Sequence, residues 1–163
     1  MRIIAFLVAL LLCQASPTFA QWIQQKKEDP FDGKHLFIAL TAAAGYGFGL
    51  RCEAGSDQPE VLLMTPEKVD DGLTGLVNLI SPKLVVIIDD LPPKSLEATL
   101  SQSDEDRLIV LSDDALVSEL ASALMAARRR IAVAVEAAGQ KFHKTQFGVS
   151  GTKRAVGSVV NGC

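Results

Sequence analysis

The chain predicts a β-rich α+β fold. We expect an antiparallel β-sandwich or barrel-like sheet of about seven or eight short strands, with an inserted helix, a C-terminal helix and one disulfide. Three observations carry this. Short apolar runs such as Glu60–Met64 and Arg107–Leu111 recur between turn residues at hairpin distance. Helical periodicity appears only late in the chain. Once a leader is set aside, two cysteines remain, Cys52 and Cys163. Strands at this spacing build antiparallel layers rather than crossover units.

Residues 1–20 read as a secretory signal. Arg2 is a short positive start, Ile3–Leu12 an unbroken apolar run, and Thr18-Phe19-Ala20 a small-x-small site predicting cleavage before Gln21. The run is too short for a spanning helix, which needs about 20 apolar residues. Cys13 follows Leu12, where a lipobox wants a small residue, so it belongs to the apolar core of the leader. Removing 20 of 163 residues leaves 143, one domain with room for a core (21–163). Loss of Arg2 takes the formal charge from −3 to −4. A mildly acidic chain offers no electrostatic basis for binding nucleic acid or an anionic membrane.

The mature chain opens with Gln21–Lys34, polar apart from Trp22, Ile23 and Phe31, and read as a surface segment with docked aromatics. Asp29-Pro30 and Asp32-Gly33 are turn signals. His35–Ala42 is the first strand. Gly45, Gly47 and Gly49 then alternate with Tyr46, Phe48 and Leu50, which in a strand puts glycines on one face and apolar groups on the other. The triplet leads into Arg51-Cys52-Glu53 and not into a helix, so a phosphate-binding loop is excluded by context. A strand whose glycine face is closely covered, or bulged, fits instead.

Glu60–Met64 is the next strand, ended by Pro66; Asp70-Asp71-Gly72 is a turn; Leu73–Ile80 is apolar but broken by Gly75 and Asn78. Lys83–Asp89 is the clearest strand, its Val/Ile run expected to be buried on both faces. Asp90-Leu91-Pro92-Pro93 stops it. Ser95–Leu100 and Arg107–Leu111 form a hairpin around the acidic turn Ser103–Asp106. Ser112 or Asp113 caps a helix running to about Ala127, with Leu116, Leu120 and Leu124 on its apolar stripe. Ile131–Val135 and Lys141–Val149 pair across Ala138-Gly139-Gln140. Ser150 or Thr152 caps a last helix with Ala155, Val156, Val159 and Val160 inward, ended by Gly162 before Cys163.

In an oxidising compartment two mature cysteines favour a bond. A Cys52–Cys163 bond would close a loop of about 110 residues, worth up to about 4.7 kcal/mol in the chain-entropy model. The alternative is a fraying Cys163 that pairs between molecules.

His35 and His143 are the only histidines and have no spaced ligand partners, which argues against zinc. His143 with Ser150 lacks a nucleophile elbow, and Ser150-Gly151-Thr152 fits a helix start better. The acidic pairs and runs lack calcium-loop spacing. Asp89, with Asp90 beside it, stands out: it ends the most apolar strand and so would need a partner if partly buried. Arg128-Arg129-Arg130, with Lys153 and Arg154, is a candidate partner or anion surface; the plainer alternative is charge complementing the helix C-terminus.

The early Trp22, Asp29-Pro30-Phe31-Asp32, Leu50-Arg51-Cys52, Ile88-Asp89-Asp90, Phe147-x-x-x-Gly151-x-x-x-Ala155-Val156 and the terminal Cys163 together resemble the small periplasmic proteins associated with type VI secretion, the VasI/TagO-like group. The resemblance implies a periplasmic β-rich fold, a disulfide to the C-terminus and no enzymatic activity. It departs from that pattern at Ile87, where the group carries Arg, so no role passes to Asp89.

The expectation is a non-enzymatic, periplasmic or secreted accessory or binding protein of the cell envelope, linked to a secretion system, without cofactor or metal. Its partner would be an envelope protein or polymer, not nucleic acid, and no transmembrane segment would remain after cleavage. The alternative is an inhibitor of an envelope hydrolase such as a lysozyme or protease, presenting the Asp89–Lys94 loop.

Overall fold

Tight hairpins set the frame of this molecule. The computed structural model describes residues 21–69, 71–103 and 105–163. The expected leader over 1–20 lies outside them, as do Asp70 and Asp104 of the two acidic turns. The chain runs β1 (Ile23–Glu28), β2 (His35–Ala43), β3 (Tyr46–Glu53), β4 (Glu60–Lys68), α1 (Asp71–Asn78), β5 (Lys83–Ile88), β6 (Lys94–Glu97), β7 (Thr99–Gln102), β8 (Arg107–Ser112), α2 (Val117–Ala126), β9 (Ile131–Ala137), β10 (Gln140–Phe147) and α3 (Thr152–Val160). Two of the hairpins turn on residue pairs with positive φ, Ala44-Gly45 and Ala138-Gly139. Two-residue turns of that hand match the natural twist of the flanking strands.

The strands form two open antiparallel sheets, ordered β1-β2-β3-β4-β8-β7 and β10-β9-β5-β6. Neither closes into a barrel. Their inner faces share one core. Phe48, Leu50, Val61, Leu63 and Val110 come from the larger sheet, and Leu84, Val86, Ile88, Ile131, Val133 and Val135 from the smaller. Phe48 stacks on Phe147 with ring centroids 5.5 Å apart, tying the sheets together. The helices α2 and α3 pack on each other, and α3 also lies against β2. They add Val117, Leu120, Leu124, Ala155, Val156 and Val159 to the same core. The disulfide joins Cys52 of β3 to Cys163, with Cα atoms 5.6 Å apart, and the Cys163 carbonyl accepts the Gly55 N–H.

Several sequence expectations are corrected. Ile23–Glu28, read as surface segment, is an edge strand paired with β2 over six residues. Its exposed Gln and Lys side chains fit an edge that resists further pairing. Trp22 just before it is docked as expected: it is 1% exposed, its Nε1–H donates to the Gly148 carbonyl and its ring meets Phe48 edge-on. The expected strand Ser95–Leu100 splits at Ala98, β6 joining the small sheet and β7 the large one, with the Ala98 N–H donating to the Pro82 carbonyl at the crossing. The stretch from Leu73, for which the sequence predicts no element, lies in helix α1, which already starts at Asp71 inside the expected turn Asp70-Asp71-Gly72. Strand β4 passes Pro66 with an irregular register to β8. Helix α2 starts later than expected, its first turn set by the Asp114 carboxylate, which accepts the Leu116 N–H. At α3 the cap is Gly151 at φ 83, and Thr152 Oγ1 donates instead to the Val149 carbonyl.

Gly47 and Gly49 behave as expected of a covered face, whereas Gly45 lies in the turn before β3 and not in the strand. Phe48, Leu50 and Cys52 point inward, while a Cβ at Gly49 would overlap the Ala39 carbonyl oxygen of β2.

Candidate functional site

A cavity of about 460 Å³ opens where one end of the two sheets meets α1. The β4 end contributes Glu67 and Val69, and α1 with its C-terminal turn contributes Thr74, Val77 and Ile80. Leu100 and Leu108 come from β7 and β8, and Val135, Ala137, Ala138, Gln140, Phe142 and His143 from the β9–β10 hairpin. The interior is aliphatic because it continues the core: Leu100, Leu108 and Val135 belong to it, and Val69 and Val77 pack against it.

The lip has different chemistry. His143 sits in an irregular stretch of β10, where the register shifts between Phe142 and Thr145, and holds φ 49. A non-glycine residue in the left-handed region costs about 1–2 kcal/mol. The bulge turns the imidazole over the cavity, edge-on to Tyr46 at 6.3 Å and with Nε2 3.7 Å from Glu67 Oε2. Phe142 beside it is 47% exposed; Ile80 across the opening is 50% exposed and its neighbour Leu79 80%. Exposed apolar side chains thus border an aliphatic cavity, the composition expected of a candidate binding site.

Asn78 holds the roof in place. Its Nδ2 donates to the Leu100 carbonyl at 2.9 Å and its Oδ1 accepts the Leu100 N–H at 2.7 Å. The side-chain amide thus supplies edge strand β7 with the partner that a further strand would have given. Sequence reasoning noted Asn78 only as an interruption and singled out His143 without Glu67. The signal for α1 was the spacing Thr74, Val77, Asn78, one face of a helix at i, i+3, i+4.

Apart from His143, the residues singled out in the sequence lie elsewhere. The half-buried Asp89, at φ 53, accepts backbone N–H groups from Arg128 (2.9 Å), Arg129 (2.7 Å) and Arg130 (3.1 Å). These bonds, that from Arg130 foremost, hold its carboxyl below the usual carboxylate range. Asp90 pairs with the Arg129 guanidinium and lies 3.8 Å from that of Arg130. Helix α2 ends at Ala126, so the arginines lie beyond its last turn and do not complement it. Lys153 and Arg154 sit on a separate open groove with Gln21, Ala127 and Gly151. His143 turns toward Tyr46 and Glu67, while the Ser150 carbonyl is taken by the Trp22 N–H. Among the described residues, no cluster of three or more His, Cys, Asp or Glu could hold a metal, and no helix is long and apolar enough to cross a membrane.

Compared with protein-family models, with curated proteins and with solved structures, the chain matches none.

Proposed function

We propose that this protein is a secreted or periplasmic binding protein of the cell envelope that works by holding an apolar ligand, not by catalysis. One observation carries this: the cavity of about 460 Å³ between the sheet ends, aliphatic inside and polar only at Glu67, Thr74, Gln140 and His143. That size and composition fit sites that enclose small molecules and orient them with a few polar groups. The Cys52–Cys163 bond is compatible with an oxidising compartment, in keeping with cleavage before Gln21. The resemblance noted in the sequence would make it an accessory of a secretion machine.

The test is native mass spectrometry of mature protein recovered from the envelope fraction. We expect a non-covalent adduct that is lost in Ala137→Phe, which fills the cavity, and in Val77→Phe on the opposite wall. Circular dichroism must show both variants folded. Folded variants that keep the adduct, or wild type that never carries one and binds no apolar probe, would sink the idea.

One observation favours a second reading, inhibition of an envelope hydrolase. The Asp89–Lys94 loop is held at both ends, by the Asp89–amide bonds and by Lys94 to Glu119 at 2.5 Å, and presents Leu91 at 52% exposure before Pro92-Pro93. A pinned loop with an apolar tip enters a cleft at low entropic cost. Lysozyme and protease assays with wild type and Leu91→Asp decide this; unchanged hydrolase rates with wild type exclude it.

A further inference from the structure

The lip of the cavity narrows the class of ligand. Only two of the lining residues are ionisable, Glu67 and His143. Glu67 is well exposed and ion-pairs with His143 Nε2 at 3.7 Å, and the histidine supplies positive charge only when protonated. With a neutral imidazole the lip carries one negative charge. The interior offers Val69, Val77, Leu100, Leu108 and Val135, with no aromatic ring among the core members to stack a planar ligand; Phe142 stands at the opening.

Building on the cavity as the binding site, we propose that its ligand is a single-chain aliphatic amphiphile. Its head would be neutral or cationic and would donate hydrogen bonds, as in a long-chain alcohol, monoacylglycerol or amine. The chain lies against the branched aliphatic walls, where flexible methylenes fill an irregular space that rigid rings would not. The head sits at the lip. There the Glu67 carboxylate accepts from it, and the Gln140 amide can both donate and accept. A fatty carboxylate brings a second negative charge beside the well-exposed Glu67, and like charges, weakened there by solvent, still disfavour binding. The exposed Ile80 and Phe142, both lining the cavity, form the apolar threshold over which the chain enters.

The test uses three probes of equal chain length below their micelle concentrations: dodecylamine, monolauroylglycerol and laurate. Each is titrated calorimetrically into the mature, disulfide-bonded protein at slightly alkaline pH, where an ordinary imidazole is neutral. We expect saturable one-to-one binding of the amine and the glyceride, and laurate weaker by about threefold to fivefold, the size expected of an exposed charge. Glu67→Gln should weaken the amine most, weaken the glyceride less because an amide oxygen still accepts, and strengthen laurate. The amine and glyceride arms separate charge attraction from hydrogen bonding as the source of head recognition. Laurate binding as tightly as the amine, or a preference that Glu67→Gln does not move, overturns the proposal. A rigid aromatic probe, 1-aminoanthracene, separates this claim from the one beneath it. If that probe binds and is lost in Ala137→Phe while no chain competes, the cavity is a site for another ligand class and the amphiphile is wrong. If neither probe type binds, both fail. A concentration-dependent dimer that Ile80→Asp abolishes, with no probe binding, would assign the rim to a second copy of the chain.

Discussion

Asn78 and Leu100 exchange two hydrogen bonds, side-chain amide to backbone, across 22 residues of sequence. The pair fastens helix α1 to edge strand β7, and Leu100 itself lines the cavity beneath. Replacing the amide leaves a part-buried N–H and C=O without partners, which costs about 1–3 kcal/mol. Asn78→Ala should therefore lower stability by that order. Asn78→Asp, which keeps the acceptor and loses the donor, should fall between. Hydrogen exchange locates the effect: amides of α1 and β7 should exchange faster, while those of β2–β4 hold. Uniform loss of protection across both sheets would mean that the pair supports the whole fold and not the roof.

Asp89 ties the end of β5 to the α2–β9 connection. Its folded carboxyl titrates below the ordinary value of 3.8, so its contribution to stability is present above that value and lost as pH falls through the lower folded value. Asp89→Asn removes the charge and one acceptor oxygen. The variant should be less stable than wild type at neutral pH, and the gap should close on acidification below about the ordinary value. Asp90→Asn, which only breaks exposed pairs with Arg129 and Arg130, should change stability by less than about 1 kcal/mol. Urea melts across pH read both. A gap independent of pH would show that shape and not charge holds the connection.

The disulfide closes a separation of 111 residues. Cys163→Ser should cost about 2–5 kcal/mol, toward the upper end because the loop is long. The C-terminal residue should nonetheless stay near its place at first, since the Cys163 N–H donates to the Val159 carbonyl and its carbonyl accepts from Gly55. Denaturant midpoints of the variant and of reduced wild type should agree. Non-reducing peptide mapping that finds both thiols free in secreted protein would refute the closure.

Two glycines should respond to alanine in opposite directions. At Gly49 the new methyl meets the backbone of Ala39, which cannot step aside, so Gly49→Ala should destabilise at the upper end of the roughly 1–3 kcal/mol typical of overpacking, or beyond. Gly75 lies inside α1 with open space at its Cβ position. Gly75→Ala should stabilise the helix by about 0.5–1 kcal/mol, through the unfolded chain's lost freedom. Thermal melts settle the signs.

Much of this fold was legible because its signals are local. Val85–Ile88 is a strand in any context: its branched side chains favour the pleat, and Asp89-Asp90 and Pro92-Pro93 end it. The hairpin at Ala138-Gly139 and the apolar stripes of α2 and α3 were likewise written in residue spacing, except that Leu116 and Val160, expected inward, are exposed at the helix ends. What misled were stretches whose neighbours outweigh their own preference. Ile23–Glu28 looks like polar coil and becomes a strand because β2 offers it an edge. Ser95–Leu100 looks continuous, yet Ala98 lets the chain leave one sheet for the other. The site was less legible still. Its walls come from Glu67, Val77, Leu100, Val135 and His143, spread over about half of the described chain, and no local pattern records their meeting.

The sequence by itself determined the strand-rich class, the two late helices, and a pair of cysteines able to bond, since each depends on periodicity, turn chemistry or residue count. Tertiary structure alone decided that the sheets stay open, that Cys52 pairs with Cys163, and that Asp89 accepts hydrogen bonds from three backbone amides. It alone decided that a cavity remains where α1 bridges the sheet ends. Local preference sets what each segment can be; which polar groups and which voids survive depends on how ten strands and three helices meet among the described residues.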